Sequence, residues 1–216
     1  MDEYMNEQEQ WDFVRTWVRQ NGPWVVVGVA LAGAGLWGWK AWQAHREAGL
    51  LAASGQYEQL VTAFGKNDRA TVVTLADKLV AEHPRTGYAE QAQLAAARME
   101  VENGELPAAL ARLQRVAAGT SDAELTLVVR LRIARLQIEQ HQADAALATL
   151  AAGEAGAFAG RYAEVRGDAL LSKGDRAGAL KAYREAQAAQ ATQAAGLSGS
   201  SGDDLLTLKI NELTRS

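Results

Sequence analysis

The sequence contains no cysteine. This absence excludes disulfide bonds, thiolate catalysis, cysteine-ligated zinc or iron–sulfur centres and lipidation of an N-terminal cysteine. It does not fix the compartment, because many periplasmic proteins also lack disulfides. Proline is scarce too, with only three in 216 residues, whereas alanine is abundant throughout. Both features favour helix over sheet, so we expect an all-α protein.

An excess of basic charge is also missing, since the formal net charge is −4 and the pI is near 5.5. Such a chain lacks the electrostatic footprint of a nucleic-acid-binding protein, and we expect no nucleic-acid partner. The three histidines lie far apart in sequence. No zinc-protease, nucleophile-elbow, phosphate-loop or dinucleotide-binding motif is present. We therefore predict a non-enzymatic protein with no catalytic residues, cofactor or metal.

Charge is absent from one long stretch, the 20 residues Gln20–Trp39. As a helix this stretch would be roughly 30 Å long, the thickness of a bilayer hydrocarbon core. All six tryptophans lie in the first 42 residues, and those nearest the stretch flank both of its ends, as aromatic belts do. We predict a transmembrane helix over residues 20–41 in contact with the lipid bilayer. The preceding segment, residues 1–19, is expected to carry a surface helix over residues 8–19.

Two alternatives to a membrane anchor are disfavoured. A buried core helix would not tolerate the four glycines of this stretch well, whereas membrane spans commonly contain them. A cleavable signal peptide needs a basic start and small residues at its cleavage site. Residues 1–19 are instead acidic, and a lysine and a tryptophan stand at 40 and 42. Two basic residues lie near each end of the span, so charge alone leaves the orientation undecided.

Small residues recur at four-residue spacing within the span, at Ala30, Ala34 and Gly38. Such a face allows another helix to approach closely, so these residues are candidates for packing against a partner helix in the membrane. The alternative is that small residues are simply frequent here.

After the span, three segments repeat one pattern: Leu94–Leu113, Leu131–Leu150 and Glu164–Tyr183. In each, an apolar-periodic helix ends in a turn and a second, small-residue-rich helix follows. The turns fall at residues 103–104, 140–141 and 173–174. The helices are expected to meet at Ala109, Ala146 and Ala179, where only a small side chain fits. The stacking core is assigned to two further sets of recurring residues: Val101, Ile138 and Leu171, and Leu110, Leu147 and Leu180.

The third segment resembles the tetratricopeptide consensus, with Gly167, Ala179, Tyr183 and Ala186 at the matching positions. Leu75–Pro84 is similar to the second helix of such a repeat with its terminal proline. The first two segments have alanine, at 97 and 134, where the third has Gly167. The resemblance covers about residues 70–190 and implies an α-solenoid.

The whole chain also resembles the YfgM-like family, ancillary subunits of the bacterial SecYEG translocon. The matching features are the acidic start, an Asn21-Gly22 turn before a Val/Gly-rich span, the closing 38–42 segment and the specific run Arg166–Asp175. The resemblance implies a cytoplasmic N-terminus, a single inner-membrane span and a periplasmic repeat domain over residues 42–216. Within that domain we expect a flexible loop at 196–203 and a closing helix at 204–213.

The implied partners are the SecYEG translocon, a PpiD-like periplasmic chaperone and emerging secretory chains. The alternative is a membrane-anchored scaffold for envelope assembly or stress signalling that uses the same repeats without the translocon.

In such arrays the first helix of each pair lines a concave groove, and a partner is expected there. The candidate residues are Leu94, Arg98, Val101, Glu102, Leu131, Arg132, Arg135, Glu139, Glu164, Asp168 and Leu171. Arg98 and Arg135 occupy equivalent positions and are able to bind a carboxylate or a carbonyl. The alternative is that each forms an ordinary surface pair with the glutamate four residues later. The closing helix is a second alternative occupant of the groove.

Overall fold

The computed structural model describes residues 7–194 and 202–215, which are helical apart from short connections. The prediction of an all-α protein is confirmed, because this part of the chain contains no strand. Its helices are α1 (Glu7–Gly65), α2 (Arg69–Glu82), α3 (Gly87–Glu102), α4 (Leu106–Gly119), α5 (Ala123–Glu139), α6 (Ala143–Ala151), α7 (Ala159–Ser172), α8 (Arg176–Ala194) and α9 (Gly202–Arg215). The predicted closing helix is α9, which is two residues longer at each end. Most of the predicted 196–203 loop lies outside the described residues.

The chain divides into two compact units, Met1–Ala52 and Ala53–Ser216. In the first unit, the described residues belong to α1, and its large apolar side chains are exposed, with Trp24 and Trp37 each 76% accessible. Among the described residues, α1 is the one helix that is long and apolar enough to cross a membrane. The most apolar part of α1 is not buried against the other described residues, unlike a core helix.

The predicted turn at Asn21-Gly22 is wrong, because α1 continues through both residues and through Pro23. Proline removes the hydrogen bond that an amide at this position would donate to the carbonyl of Arg19. The side-chain amide of Asn21 donates instead to the carbonyl oxygen of Trp17 at 3.1 Å, one turn earlier. This bond lies along the helix, so the asparagine supports the helical turn there. The surface location of residues 8–19 stays a prediction.

The second unit is built from antiparallel helix pairs. The three predicted repeats are the pairs α3/α4, α5/α6 and α7/α8, and residues 53–65 of α1 form an additional pair with α2. Each pair is joined by a residue with positive φ, which terminates the first helix. These residues are Asn67 (φ 55), Gly104 (φ 78), His141 (φ 58) and Gly174 (φ 83). In every one of these turns, the backbone amide that follows the positive-φ residue donates a hydrogen bond to the carbonyl five residues before it. An example is the bond from Glu105 N to Glu100 O at 2.8 Å.

The alanines assigned to the close approach of paired helices are confirmed as contact positions. Ala109, Ala146 and Ala179 are each 0% exposed. The assignment of Val101 and Leu171 to the stacking core is wrong, since they are 37% and 38% exposed. Both lie in the last turn of their helix.

The residues two positions earlier supply the core instead. They are Met99, Leu136 and Ala169, all buried. Ile138, the second member of the predicted set, is half-buried against the core between α5 and α7. Leu110, Leu147 and Leu180 are likewise half-buried, and the first two pack against the core.

Gly167 is needed for a particular contact in the third repeat. Tyr183 of α8 is fully buried, and its ring carbon Cδ1 lies 2.5 Å from where a Cβ on Gly167 would stand. No real Cβ tolerates such a contact, so the ring occupies the space that glycine leaves. The first two repeats combine alanine with leucine at the equivalent positions, Ala97 with Leu113 and Ala134 with Leu150. The glycine–tyrosine pair of the third repeat and the alanine–leucine pairs of the first two therefore fill a similar space.

A buried ionic cluster joins α2, α3 and α4. Arg112 of α4 is 4% exposed and pairs with the equally buried Glu100 of α3, with its Nη2 donating to Oε1 at 2.8 Å. Its Nη1 donates to the Asp77 carboxylate of α2 at 2.7 Å and to Gln93 Oε1 at 2.8 Å. Gln93 in turn donates to the carbonyl of Ala76 at 3.0 Å. Burial alone would raise the pKa of Asp77, but the hydrogen bonds from Arg112 and Gln93 and the positive charges of Arg112 and Arg115 together outweigh it and hold that pKa below its usual value.

We predict that Gly167→Ala lowers the free energy of unfolding by about 1–3 kcal/mol, because the new methyl group clashes with the Tyr183 ring. Adding Tyr183→Leu installs the alanine–leucine pair of the other repeats and should recover part of the loss. Gly119→Ala is the control, since its Cβ would meet open space. Urea unfolding of the full chain, followed by circular dichroism, measures all three. Equal stability of Gly167→Ala and Gly119→Ala would contradict the packing described here.

Candidate functional site

A groove with a cavity volume of about 590 Å³ opens on the second unit. The first helix of three successive pairs contributes to it: α3, α5 and the part of α1 in this unit. Its lining residues are Tyr57, Leu60, Val61, Phe64, Gln91, Leu94, Ala95, Ala97, Arg98, Val101, Leu113, Arg132 and Leu136. Its size lies within the range of known ligand sites, about 300–1,000 Å³.

Four of the predicted groove residues line this groove: Leu94, Arg98, Val101 and Arg132. Glu102 stands beside it, and its Oε1 accepts a hydrogen bond from Arg98 Nε at 2.8 Å. The alternative of a surface pair at this position is therefore confirmed for Arg98. The guanidinium of Arg98 also lies 5.3 Å from the centre of the Phe64 ring. Both contacts fix the side chain on the groove wall.

Other predicted residues lie elsewhere on α5. Leu131 is only 7% exposed and packs in the core with Ala134, Ala146 and Val165, because α7 contacts α5 directly at this level. Its assignment to the groove is wrong. Arg135 and Glu139 are exposed but do not line the groove. Among the described residues they form no ion pair with each other, so the second predicted Arg–Glu pair is absent.

In the third repeat, a lysine of α9 binds two of the predicted residues. Lys209 donates to Asp168 Oδ1 at 2.7 Å and to Glu164 Oε1 at 3.3 Å. Leu206 is fully buried against the side chains that pack α7 on α8. Glu164 and Asp168 therefore bind the protein's own closing helix, but α9 packs mainly on α8 and does not line the groove, so it is not the occupant of the groove. Leu171, also predicted for the groove, lies exposed near the end of α7 and does not line it.

Tyr183 completes this contact beneath α9. Its hydroxyl donates to Asp168 Oδ1 at 2.7 Å, and the ammonium of Lys209 lies 5.4 Å from its ring centre. Burial and the neighbouring Asp168 carboxylate raise the pKa of the Tyr183 hydroxyl. The phenol therefore stays neutral and remains a donor, and the carboxylate accepts bonds from both the tyrosine and the lysine.

One groove wall was missed in the sequence. It is the stripe Tyr57, Leu60, Val61 and Phe64 of α1. The sequence does show this stripe, because its four apolar residues recur at the three- and four-residue spacing of one helix face. The three segments with the clearest shared pattern begin only at Leu94, beyond this stripe.

The three small residues assigned to packing in the membrane, Ala30, Ala34 and Gly38, are all exposed on α1. A Cβ on Gly38 would meet no atom within 4 Å. Among the described residues, this face has no contact that explains its composition. Its role in packing against another helix stays a prediction.

A family model described as a tetratricopeptide repeat-like domain matches residues 15–215. Two relatives named ancillary SecYEG translocon subunit also match. One, from Escherichia coli strain K12, is 40% identical over 185 residues, covering 85% of this chain and 88% of the relative. The chain belongs to this YfgM-like family. The other relative, from Haemophilus influenzae, is 30% identical over 183 residues, covering 85% of this chain and 89% of its own length. No solved structure matches the chain.

We predict that Lys209→Met loosens α9 from the repeats, because Asp168 and Glu164 lose their shared cation. Amide hydrogen exchange in α9 should quicken about fivefold, equivalent to about 1 kcal/mol for a pair that is partly exposed. Lys173→Met is the control, since it removes a different, exposed pair with Asp144. Exchange measured by mass spectrometry on the full chain tests this. Unchanged exchange in α9, or the same increase in the control, would contradict the role given to Lys209.

Proposed function

We propose that this chain is a non-enzymatic ancillary subunit of the SecYEG translocon, anchored in the inner membrane by α1. Relatives of that name, aligned over most of both chains, support the assignment. So does the apolar, unburied N-terminal part of α1. The proposed topology has residues 1–19 in the cytoplasm and the repeat domain in the periplasm, as the family resemblance implies.

The groove carries the proposal that the repeats bind another protein. It is open, mainly apolar and built from three successive helix pairs, which is the arrangement of a site for a peptide segment. No described residue fills it, whereas in the third repeat α9 packs on α8 and its Lys209 binds Glu164 and Asp168. The proposed occupants are a PpiD-like, membrane-anchored periplasmic chaperone and secretory chains emerging from the translocon.

The membrane span has a separate role in this proposal. The face with Ala30, Ala34 and Gly38 contacts a helix of the translocon, since small residues let two helices approach closely in lipid. The membrane span then keeps the protein at the translocon, and the groove binds its periplasmic partner. The two contacts are expected to be separable by substitution.

We predict that Val61→Trp weakens the chaperone contact and leaves the translocon contact intact. Val61 is 50% exposed on the groove wall, so an indole there occupies the groove without disturbing the core. Leu208→Trp is the matched control, because Leu208 is 62% exposed on α9, away from the groove. The measurement is co-purification from detergent-solubilised membranes, with partners identified by mass spectrometry.

Loss of the chaperone with Val61→Trp alone, and retention of the translocon in both variants, is the expected result. Retention of both partners by Val61→Trp would exclude the groove as the site. If the wild-type chain brings down neither partner, the translocon assignment fails. An envelope scaffold without translocon association then takes its place.

A further inference from the structure

The groove is positively charged within an acidic chain. Its 13 lining residues include two arginines, Arg98 and Arg132, and no carboxylate. The chain as a whole has a formal net charge of −4. The other lining side chains are mostly aromatic or aliphatic, so any charge on an occupant meets these arginines in a weakly polar setting. Once an occupant covers these side chains and excludes water, a charge pair there is stronger than on an open surface.

The two arginines differ in how they are engaged. Arg98 pairs with Glu102 and lies over the Phe64 ring, so an acceptor already neutralises it. Arg132 is exposed, lines the groove from α5 and forms no ion pair with any residue that the structure describes. Arg132 is therefore the cation that an occupant can bind without displacing a protein carboxylate.

We propose that the groove selects an extended protein segment in which apolar side chains are accompanied by an aspartate or glutamate side chain that pairs with Arg132. This deepens the proposed function, since it rests on the groove being the partner site and names the chemistry of the partner. The apolar side chains pack on the stripe formed by Tyr57, Val61 and Phe64 and on Leu94. The carboxylate accepts hydrogen bonds from the planar fork of the guanidinium, which fixes the register of the segment.

This arrangement distinguishes among partners by charge. Segments with a basic residue at the same place are disfavoured, because they set two like charges together at Arg132. Purely apolar segments gain the packing but not the charge-assisted hydrogen bonds. The position on α5 matters, since Arg135, only three residues further on, is exposed but lies outside the groove.

The test uses the full chain in lipid nanodiscs and fluorescein-labelled, C-terminally amidated peptides. In each probe a leucine–phenylalanine pair is followed by glutamate after one to four serines. The matched probes carry glutamine in place of glutamate, and one further probe combines glutamine with a free C-terminal carboxylate. Fluorescence anisotropy gives the affinity for the wild-type chain, for Arg132→Gln and for the control Arg135→Gln.

We expect the best glutamate probe to bind the wild-type chain about fivefold or more tightly than its glutamine counterpart. Arg132→Gln should bring this ratio to about one, and Arg135→Gln should leave it unchanged. Equal binding of glutamate and glutamine probes at every spacing would overturn the proposal. So would loss of the preference in both variants, binding of the free-carboxylate probe alone, or no binding of any probe.

Co-purification of the same variants with the translocon keeps this result separate from the proposed function. Glutamate-selective binding by a chain that brings down no translocon would leave the groove chemistry standing and remove the translocon assignment. Translocon association without glutamate selectivity would support the translocon assignment and remove the proposed groove chemistry. Circular dichroism of each variant checks the fold, which both substitutions should preserve because neither arginine forms an ion pair with a described residue.

Discussion

Arg112 reaches from α4 to carboxylates on two other helices, and the position of α3 depends on it. Burying a guanidinium that is only 4% exposed is costly unless its N–H groups donate hydrogen bonds to protein acceptors. Here Glu100, Asp77 and Gln93 accept hydrogen bonds from it. Removing one member of such a buried set typically costs about 3–5 kcal/mol, because the remaining charge is left without its partner. The cluster therefore fixes α2, α3 and α4 together. Since α3 supplies the central wall of the groove, the shape of the groove follows from this contact.

The repeats use the same helix pair in two different ways. α1, α3 and α5 are the first helices of three successive pairs, and an open apolar groove lies between them. At the C-terminal end, α9 packs mainly on α8, and its Lys209 pairs with two carboxylates of α7. A solenoid exposes its stacking face at its last repeat, and a capping helix solves that problem. Among the described residues, the groove thus stays open, whereas α9 covers the stacking face of the last helix pair.

Much of this fold could be predicted from the sequence, because it rests on local patterns. The charge-free stretch, the turns with positive φ and the alanines at helix contacts all recur at readable spacing. The errors in residue placement have a common physical origin, which is that the pattern of one segment does not show which of its residues a neighbouring helix covers. Val101 and Leu171 were placed in the core although they lie at helix ends, and Leu131 was placed in the groove although α7 covers it. Arg112 and Glu100 were missed because each looks like an ordinary surface residue until the α3/α4 turn brings them together.

The central claim is that a periplasmic partner occupies the groove between α1, α3 and α5. Photo-crosslinking in intact membranes tests it most directly, with a benzophenone amino acid in place of Gln91, which lines the groove, or of Gln114, which is exposed on α4 outside it. Mass spectrometry then identifies the adducts. We expect a periplasmic protein attached at position 91 and little or none at position 114. Equal capture at both positions, or capture at 114 alone, would contradict it.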